Sequence, residues 1–399
     1  MNSTDSSDIV IICAVRTPIG KFGGTLRDVS VHDLGAHAMK HALARVGLKG
    51  ADIGQVIFNH CRQAGNGPNP ARTAAVRAGI PFSAPVNTIN MACVGGMRSV
   101  ALAAQAIQTG ESEIVVAGGM ESMSTIPYLL KGARWEGLRM GPRVLEDGWS
   151  DSIDPLTCMG MGQAAERLVE KYGLSREEMD RYALASHRKA AEARRNGCFE
   201  GEVIPFTVPA TDERAEIVLD RDEVIREDTS LEKLAKLPPV FKEGGRITAG
   251  NASAMADGAA ALVVASRKKA RTLGIRPLFS IVAHVSIGCD PAYTGEGPAF
   301  AIPKALEAAR MTLSDIDLYE INEAFAAQIL ANLRVLKIDE EKLNVHGGSI
   351  AIGHPVGASG ARILVTLYNA LKIRDKEIGL AAVPAGGGVA GAMIIRRES

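Results

Sequence analysis

The chain is poor in aromatic side chains, which make up 4% of its 399 residues, and it carries no net charge. With 45 basic residues balancing 45 acidic ones, nothing points to nucleic acid or another polyanion as a partner. Its six cysteines, at 13, 61, 93, 158, 198 and 289, form no Cys-x-x-Cys pair. A disulfide framework and a zinc knuckle are therefore not expected, nor is any other metal site, and reduced thiols in a cytoplasmic setting are. No apolar run approaches 18 residues, so no membrane span is expected. Residues 1–8 are polar and lack arginine, unlike a signal or transit peptide. What the chain has in quantity is glycine, 42 residues, as in closely packed α/β proteins. Its length calls for two or more domains.

Short apolar runs alternate with helical patterns. Strands are predicted at 9–15, 56–59, 86–89 and 114–117, and helices at 31–46 and 95–108. From about 121 to 249 the sequence turns charged and proline-punctuated, with a capping-box signal at Ser175–Glu178 opening a helix to about residue 195. After 250 the apolar alternation returns. Two stretches share one spacing. Gly95-Gly-Met-Arg98 opens a helix 16 residues before Ile114, and Ser359-Gly-Ala-Arg362 opens another 16 residues before Ile378; both following strands run into glycines, at 118–119 and 386–388. This reads as an internal duplication that brings the starts of two equivalent helices together across a pseudo-two-fold axis. The predicted division is 1–120 with 250–275 as the first half, 121–249 as an insertion, and 276–399 as the second half.

Cys93 stands just before one of these helices and His354 before the other. His354 lies in Gly353-His-Pro-Val-Gly357, where glycine lets backbone and ligand approach closely and Pro355 stiffens the turn. A cysteine at a helix N-terminus is expected to be stabilised as the nucleophilic thiolate; its alternative fate is that of a small buried side chain. Asn322, at a strand-to-helix junction, could by itself be no more than a helix cap. Three other signals carry no chemistry. Gly386–Gly391 satisfies G-x-G-x-x-G, but only eight residues follow it. His37 and His41 have zinc-like spacing without a third ligand, and Lys268–Arg271 reads as a solvated helix end.

Five segments match one family in order: Asn-x-x-Cys-x-x-Gly at 90–96, Ala-Gly-Gly-Met-Glu-Ser-Met at 117–123, Thr-Ala-Gly-Asn-Ala-Ser at 248–253, Asn-Glu-Ala-Phe-Ala at 322–326, and Gly-His-Pro-x-Gly-x-Ser-Gly-x-Arg at 353–362. The chain resembles the thiolases from about residue 8 onward. The resemblance implies a layered αβαβα core of two similar halves with an inserted loop domain that binds coenzyme A. It implies that Cys93 is acylated by an acyl-CoA, that His354 activates it, and that Asn322 holds a water forming an oxyanion hole with His354. The backbone N–H groups of Cys93 and Gly386 would form a second. Acyl-CoA contacts would fall at Arg226 (adenine), Ser253 (pantetheine), Phe241, Ala249, Met159 and Phe325. A homodimer or homotetramer is implied, with a tetramerisation loop at 126–140, and no tightly bound cofactor.

The family's second cysteine, which exchanges the substrate's α-proton, falls where this chain has Pro384. Cys158-Met-Gly is aligned here with the family's His-Met-Gly, and Thr294 replaces a methionine near the acyl pocket. Cys158 is a candidate substitute acid/base, and Glu296 is expected to be an exposed loop carboxylate. The expected activity is thiolysis or condensation of 3-ketoacyl-CoA through an acyl-cysteine. A non-thiolytic or decarboxylative acyltransferase using Cys-His-Asn, or a non-catalytic acyl-CoA-binding subunit, remain as alternatives.

Overall fold

The computed structural model describes residues 9–149, 153–210, 212 and 215–398; residues 1–8, read above for targeting signals, lie outside them. Its main sheet has ten strands. Nine run in the spatial order Leu318–Ile321, Ile378–Ala385, Val389–Arg397, Phe279–Gly288, Ile9–Arg16, Ala256–Ser266, Ile114–Ser122, Gln55–Asn59, Val86–Ile89, and Gly20–Lys21 adds to Ala256–Ser266. The two outermost pairings at each end include parallel ones, whereas the central strands are antiparallel.

Alternation along each strand builds the layers, because successive side chains point to opposite faces. Val10 and Ile12 pack with Leu34, Met39 and Leu43 of the helix Val31–Arg45, while Ile9 and Ile11 pack with the helices Gly95–Gln108 and Val356–Ile373. In the second half, Leu380 and Ile394 face Ile302 and Leu306 of the helix Gly297–Ala309, whereas Ala381 and Met393 face the middle layer. Both faces of the strands are thus covered, and the order outward from the centre is helix, sheet, helix on either side. This is the αβαβα arrangement.

The middle layer is where the duplication is visible. A Cβ added at Gly96 would lie 2.6 Å from the backbone nitrogen of Ala361, and one at Gly360 would lie 2.6 Å from that of Met97. The equivalent pairs, Gly96-Met97 and Gly360-Ala361, therefore contact each other reciprocally, as a two-fold relation requires. Two expectations shift in detail. The second helix starts at Val356, right after Pro355, so Ser359 lies inside it. The strand from Ile114 does not end at its glycines but continues to Ser122. Gly118 and Gly119 are there because a Cβ would come within 2.0 Å of Ala260 O and Gly357 O.

The stretch 121–249 contributes the helices Met161–Tyr172 and Arg176–Arg195, the latter capped by Ser175, whose Oγ accepts from Glu178 N while the Glu178 carboxylate accepts from Ser175 N at 2.8 Å. It is fastened to the sheet by Arg16, which is fully buried: Nε donates to Glu202 at 2.7 Å, and Nη1 and Nη2 to the two oxygens of Asp222 at 2.7 and 2.9 Å. No local pattern in the sequence announces this network.

Candidate active site

Cys93 sits two residues before the helix Gly95–Gln108, on a loop that is shaped locally. Asn90 Oδ1 accepts from Ala92 N at 3.0 Å, an Asx turn, and Ala92 is held at φ 48°, a left-handed conformation that costs a non-glycine residue roughly 1–2 kcal/mol. Gly95 leaves room for Asn59, whose Oδ1 would lie 1.9 Å from a Cβ there. The loop therefore presents Cys93 at the wall of a cavity of about 750 Å³ that also reaches His354, Ser253, Phe241, Phe325 and Gly386.

Helix-end stabilisation of the thiolate, expected from the sequence, is outweighed. Burial pushes the Cys93 thiol up to about 11, although backbone N–H groups of Gly386 and Cys93 and the charge of Arg62 pull the other way. The resting group is the thiol. Its deprotonated fraction should therefore climb about tenfold per pH unit from pH 7 to 10. Iodoacetamide labelling of Cys93, followed by peptide mass mapping, is expected to rise with that slope; a plateau below pH 8 would contradict it.

His354 is fixed by its surroundings. Its backbone N donates to Ala254 O at 3.0 Å. Ser359 Oγ donates to Pro355 O at 3.0 Å, so it receives rather than gives the proton shared with His354 Nδ1 at 2.6 Å. Nδ1 thus carries the hydrogen and Nε2 keeps its lone pair. Burial, helped by the nearby Arg362 charge, lowers the imidazole pKa to about 4, so the ring is a neutral base at ordinary pH.

Asn322 is fully buried, with Oδ1 accepting from Ser349 Oγ at 2.7 Å; Ser349 in turn accepts from Arg362 Nη2 at 2.9 Å. This relay sets the amide so that Nδ2 is left as a buried donor with no protein partner among the described residues. The neighbouring Glu323 is saturated instead, by Tyr182, Ser186, Asn344 and the backbone of Ile350, which marks it as structural.

The remaining expected contacts divide. Ser253, Phe241 and Phe325 line the cavity, with the two phenyl rings edge-to-face at 5.9 Å. Arg226 and Ala249 are exposed and outside its lining; the exposed Cys158 and the half-buried Met159 lie outside it too. Cys158, with φ 55°, is exposed on its turn, its sulfur 4.0 Å from Pro155 O, and it does not line the cavity that holds Cys93. Met161 takes the place expected of Met159: it lines the cavity and its Sδ would lie 3.2 Å from a Cβ on Gly386. The sequence Met159-Gly-Met161-Gly offers two registers, and the helix start at Met161 was the signal that separates them. Glu296 is buried, not exposed, and pairs with Lys171 at 2.6 Å. Thr294 and Pro384 both line the cavity, and Thr294 donates to Ala385 O, next to Gly386.

Sequence reading missed a wall of the cavity formed by Cys61 and Arg62. The buried carboxylate of Glu121 holds it. Its oxygens accept from the backbone N–H groups of Cys61 (3.2 Å), Arg62 (3.3 Å) and Gly357 (3.0 Å), and His60 Nδ1 lies 2.8 Å away. Burial disfavours this carboxylate, but His60 and the amides outweigh it and keep its pKa below the usual value. Arg62 stacks over Trp149 at 4.8 Å. No signal short of a three-dimensional arrangement tells these two residues from ordinary strand-end positions.

Cys93 and the neutral imidazole of His354 line one cavity, and Asn322 adds a buried amide donor outside its lining; groups of these types suit acyl transfer. Comparison with known proteins gives the family. The model for the thiolase N-terminal domain matches residues 9–268 and that for the thiolase C-terminal domain matches 275–397. The chain belongs to the thiolase family. A Staphylococcus aureus protein named "Probable acetyl-CoA acyltransferase" is 46% identical over 391 residues, 98% of this chain and 99% of that one. The crystal structure of the Bacillus anthracis acetyl-CoA acetyltransferase superposes with a TM-score of 0.95 at 44% identity, covering 98% of this chain and 99% of that one. Human mitochondrial 3-ketoacyl-CoA thiolase gives 0.95 at 39%, covering 99% and 100%.

Proposed function

We propose that the protein is an acyl-CoA C-acyltransferase that works through an acyl-Cys93 intermediate, with 3-ketoacyl-CoA and coenzyme A as its substrates and no tightly bound cofactor. The observation that carries this is the fixed tautomer of His354, which leaves Nε2 its lone pair, together with the single cavity that His354 and Cys93 both line. His354 takes the thiol proton as Cys93 adds to the acyl carbonyl. The developing oxyanions are met by the backbone N–H groups of Cys93 and Gly386 and by a water held between His354 and Asn322 Nδ2. Ser253, Phe241 and Phe325 contact the pantetheine arm and acyl group, with Met161 closing the acyl pocket; Arg226 and Ala249 serve the nucleotide end outside the cavity.

In this reading residues 1–120 with 250–275, 121–249 and 276–399 are the two halves and the insertion, and the protein works in the cytoplasm as a homodimer or homotetramer. Tyr128, Trp135, Leu138 and Met140 leave large apolar surface exposed on the 126–147 arm, which fits burial against another copy. No described helix is long and apolar enough to cross a membrane.

Incubation with acetyl-CoA is expected to add one acetyl group to the Cys93 peptide, and acetoacetyl-CoA with coenzyme A should give two acetyl-CoA. Absence of the adduct with short and long acyl-CoA alike would overturn the proposal. A second reading rests on Pro384, which puts no proton carrier at its own place in the wall: acyl transfer without α-deprotonation, or condensation driven by loss of CO₂. An adduct without acetoacetyl-CoA cleavage would favour it.

A further inference from the structure

Cleaving the Cα–Cβ bond of a 3-ketoacyl thioester leaves an electron pair on Cα that must take a proton; the reverse reaction must remove one. His354 is committed to the Cys93 thiol, and Pro384 holds no proton to give. Among the described residues that line the cavity, the other acidic groups are Cys61 and Asp154.

Three ties join Cys61 to the segments that carry Cys93 and His354. Asn90, three residues before Cys93, donates through Nδ2 to Cys61 O at 3.1 Å. Asn59 Nδ2 lies 3.5 Å from Cys61 Sγ, 3.3 Å from Ala92 O and 2.9 Å from Gly357 O, and Glu121 clamps the backbone N–H of Cys61 together with that of Gly357, on the helix that follows His354. The sulfur is thus held between the two loops that carry the reacting groups. Asp154 is also buried and its Oδ2 has no partner among the described residues, but its Oδ1 is taken by Leu156 N within its own turn. Among the described residues, no hydrogen bond ties its carboxylate to the loop of Cys93. Carboxylates as a class are also weaker bases than thiolates.

We propose that Cys61 is the acid/base that exchanges the α-proton, an inference that rests on the acyl-Cys93 reading above. In cleavage, Cys93 gives its proton to His354 and adds to the keto carbonyl. As the Cα–Cβ bond breaks, the Cys61 S–H gives its proton to Cα; acetyl-CoA leaves, acyl-Cys93 remains, and Cys61 is a thiolate. When the thiol of coenzyme A attacks the acyl-enzyme, its proton restores Cys61, and His354 returns its own to the departing Cys93 sulfur. Burial and the neighbouring Glu121 carboxylate raise the Cys61 thiol well above its ordinary value, which keeps the proton in place until the carbanion forms.

The test follows deuterium exchange into the methyl group of acetyl-CoA in D₂O alongside intact-mass detection of acyl-Cys93. Wild type should do both. Cys61→Ala should still form the adduct but lose about 10²–10⁴-fold in exchange and in acetoacetyl-CoA cleavage. Cys61→Ser, close in size, should show a similar loss because a hydroxyl holds its proton too tightly, and this variant decides the matter if Cys61→Ala fails to fold. Adduct formation without exchange in wild type, exchange unchanged in both Cys61 variants, or exchange lost in Asp154→Asn and kept in Cys61→Ser would each overturn the assignment. Absence of the adduct in wild type would instead overturn the acyl-Cys93 reading.

Discussion

Replacing Cys93 with alanine is expected to cut acetoacetyl-CoA cleavage by about 10⁵–10⁶-fold and to eliminate the covalent adduct, because groups that act as one unit lose nearly everything when the nucleophile goes. The local structure makes the variant informative. Ala92 already carries the strained backbone of this loop at φ 48°, so an alanine at 93 asks nothing new of it. His354 keeps its bonds to Ser359 and Ala254, and Asn322 its bond to Ser349. Steady-state rates with intact-mass analysis check the result. A loss smaller than about tenfold would place the nucleophile elsewhere in the cavity.

Arg16→Met is the second large effect, this time on stability. The guanidinium satisfies Glu202 and Asp222 at 2.7–2.9 Å in a site where all three side chains are buried. Removing one member of a buried ion network leaves uncompensated charge, and costs about 3–5 kcal/mol. The thermal midpoint should fall clearly, with the inserted segment loosening first, because Glu202 and Asp222 belong to it and Arg16 to the sheet. Hydrogen exchange resolved by peptide would show this as lost protection around residues 199–225. Arg16→Lys should recover part of the loss: it restores a charge but cannot span both carboxylates. Equal protection in wild type and Arg16→Met would show that apolar packing alone fastens the insertion.

Much of the fold is legible in the sequence because it rests on local patterns. Ser175 and Glu178 cap a helix where their spacing says they should, and the apolar run at 9–15 is a strand buried along its whole length. The paired glycine-arginine spacing even foretold that the two helix starts meet. What escaped depends on burial or on distant segments. The helix-end argument for Cys93 has the right local sign, yet desolvation, which no local pattern encodes, outweighs it. Cys61 and Arg62 follow the strand Gln55–Asn59 and become part of the cavity only because Glu121, sixty residues on, gathers their amides. Glu296 looked like loop surface because its partner, Lys171, lies 125 positions earlier. Met161 was missed for a humbler reason, a repeated dipeptide.

The crossing of the two middle helices has a practical corollary for anyone redesigning this catalyst. Where Gly96 meets Ala361 and Gly360 meets Met97 there is main chain against main chain, and nothing that a longer or shorter side chain could wedge or relax. The spacing between thiol and imidazole is consequently a fixed dimension, like the centre distance of two shafts cast in one block. Libraries aimed at that axis would return mostly unfolded protein. The adjustable parts are the walls, at Arg62, Met161 and Thr294, where substrate scope could be changed while the reacting pair stays where it is.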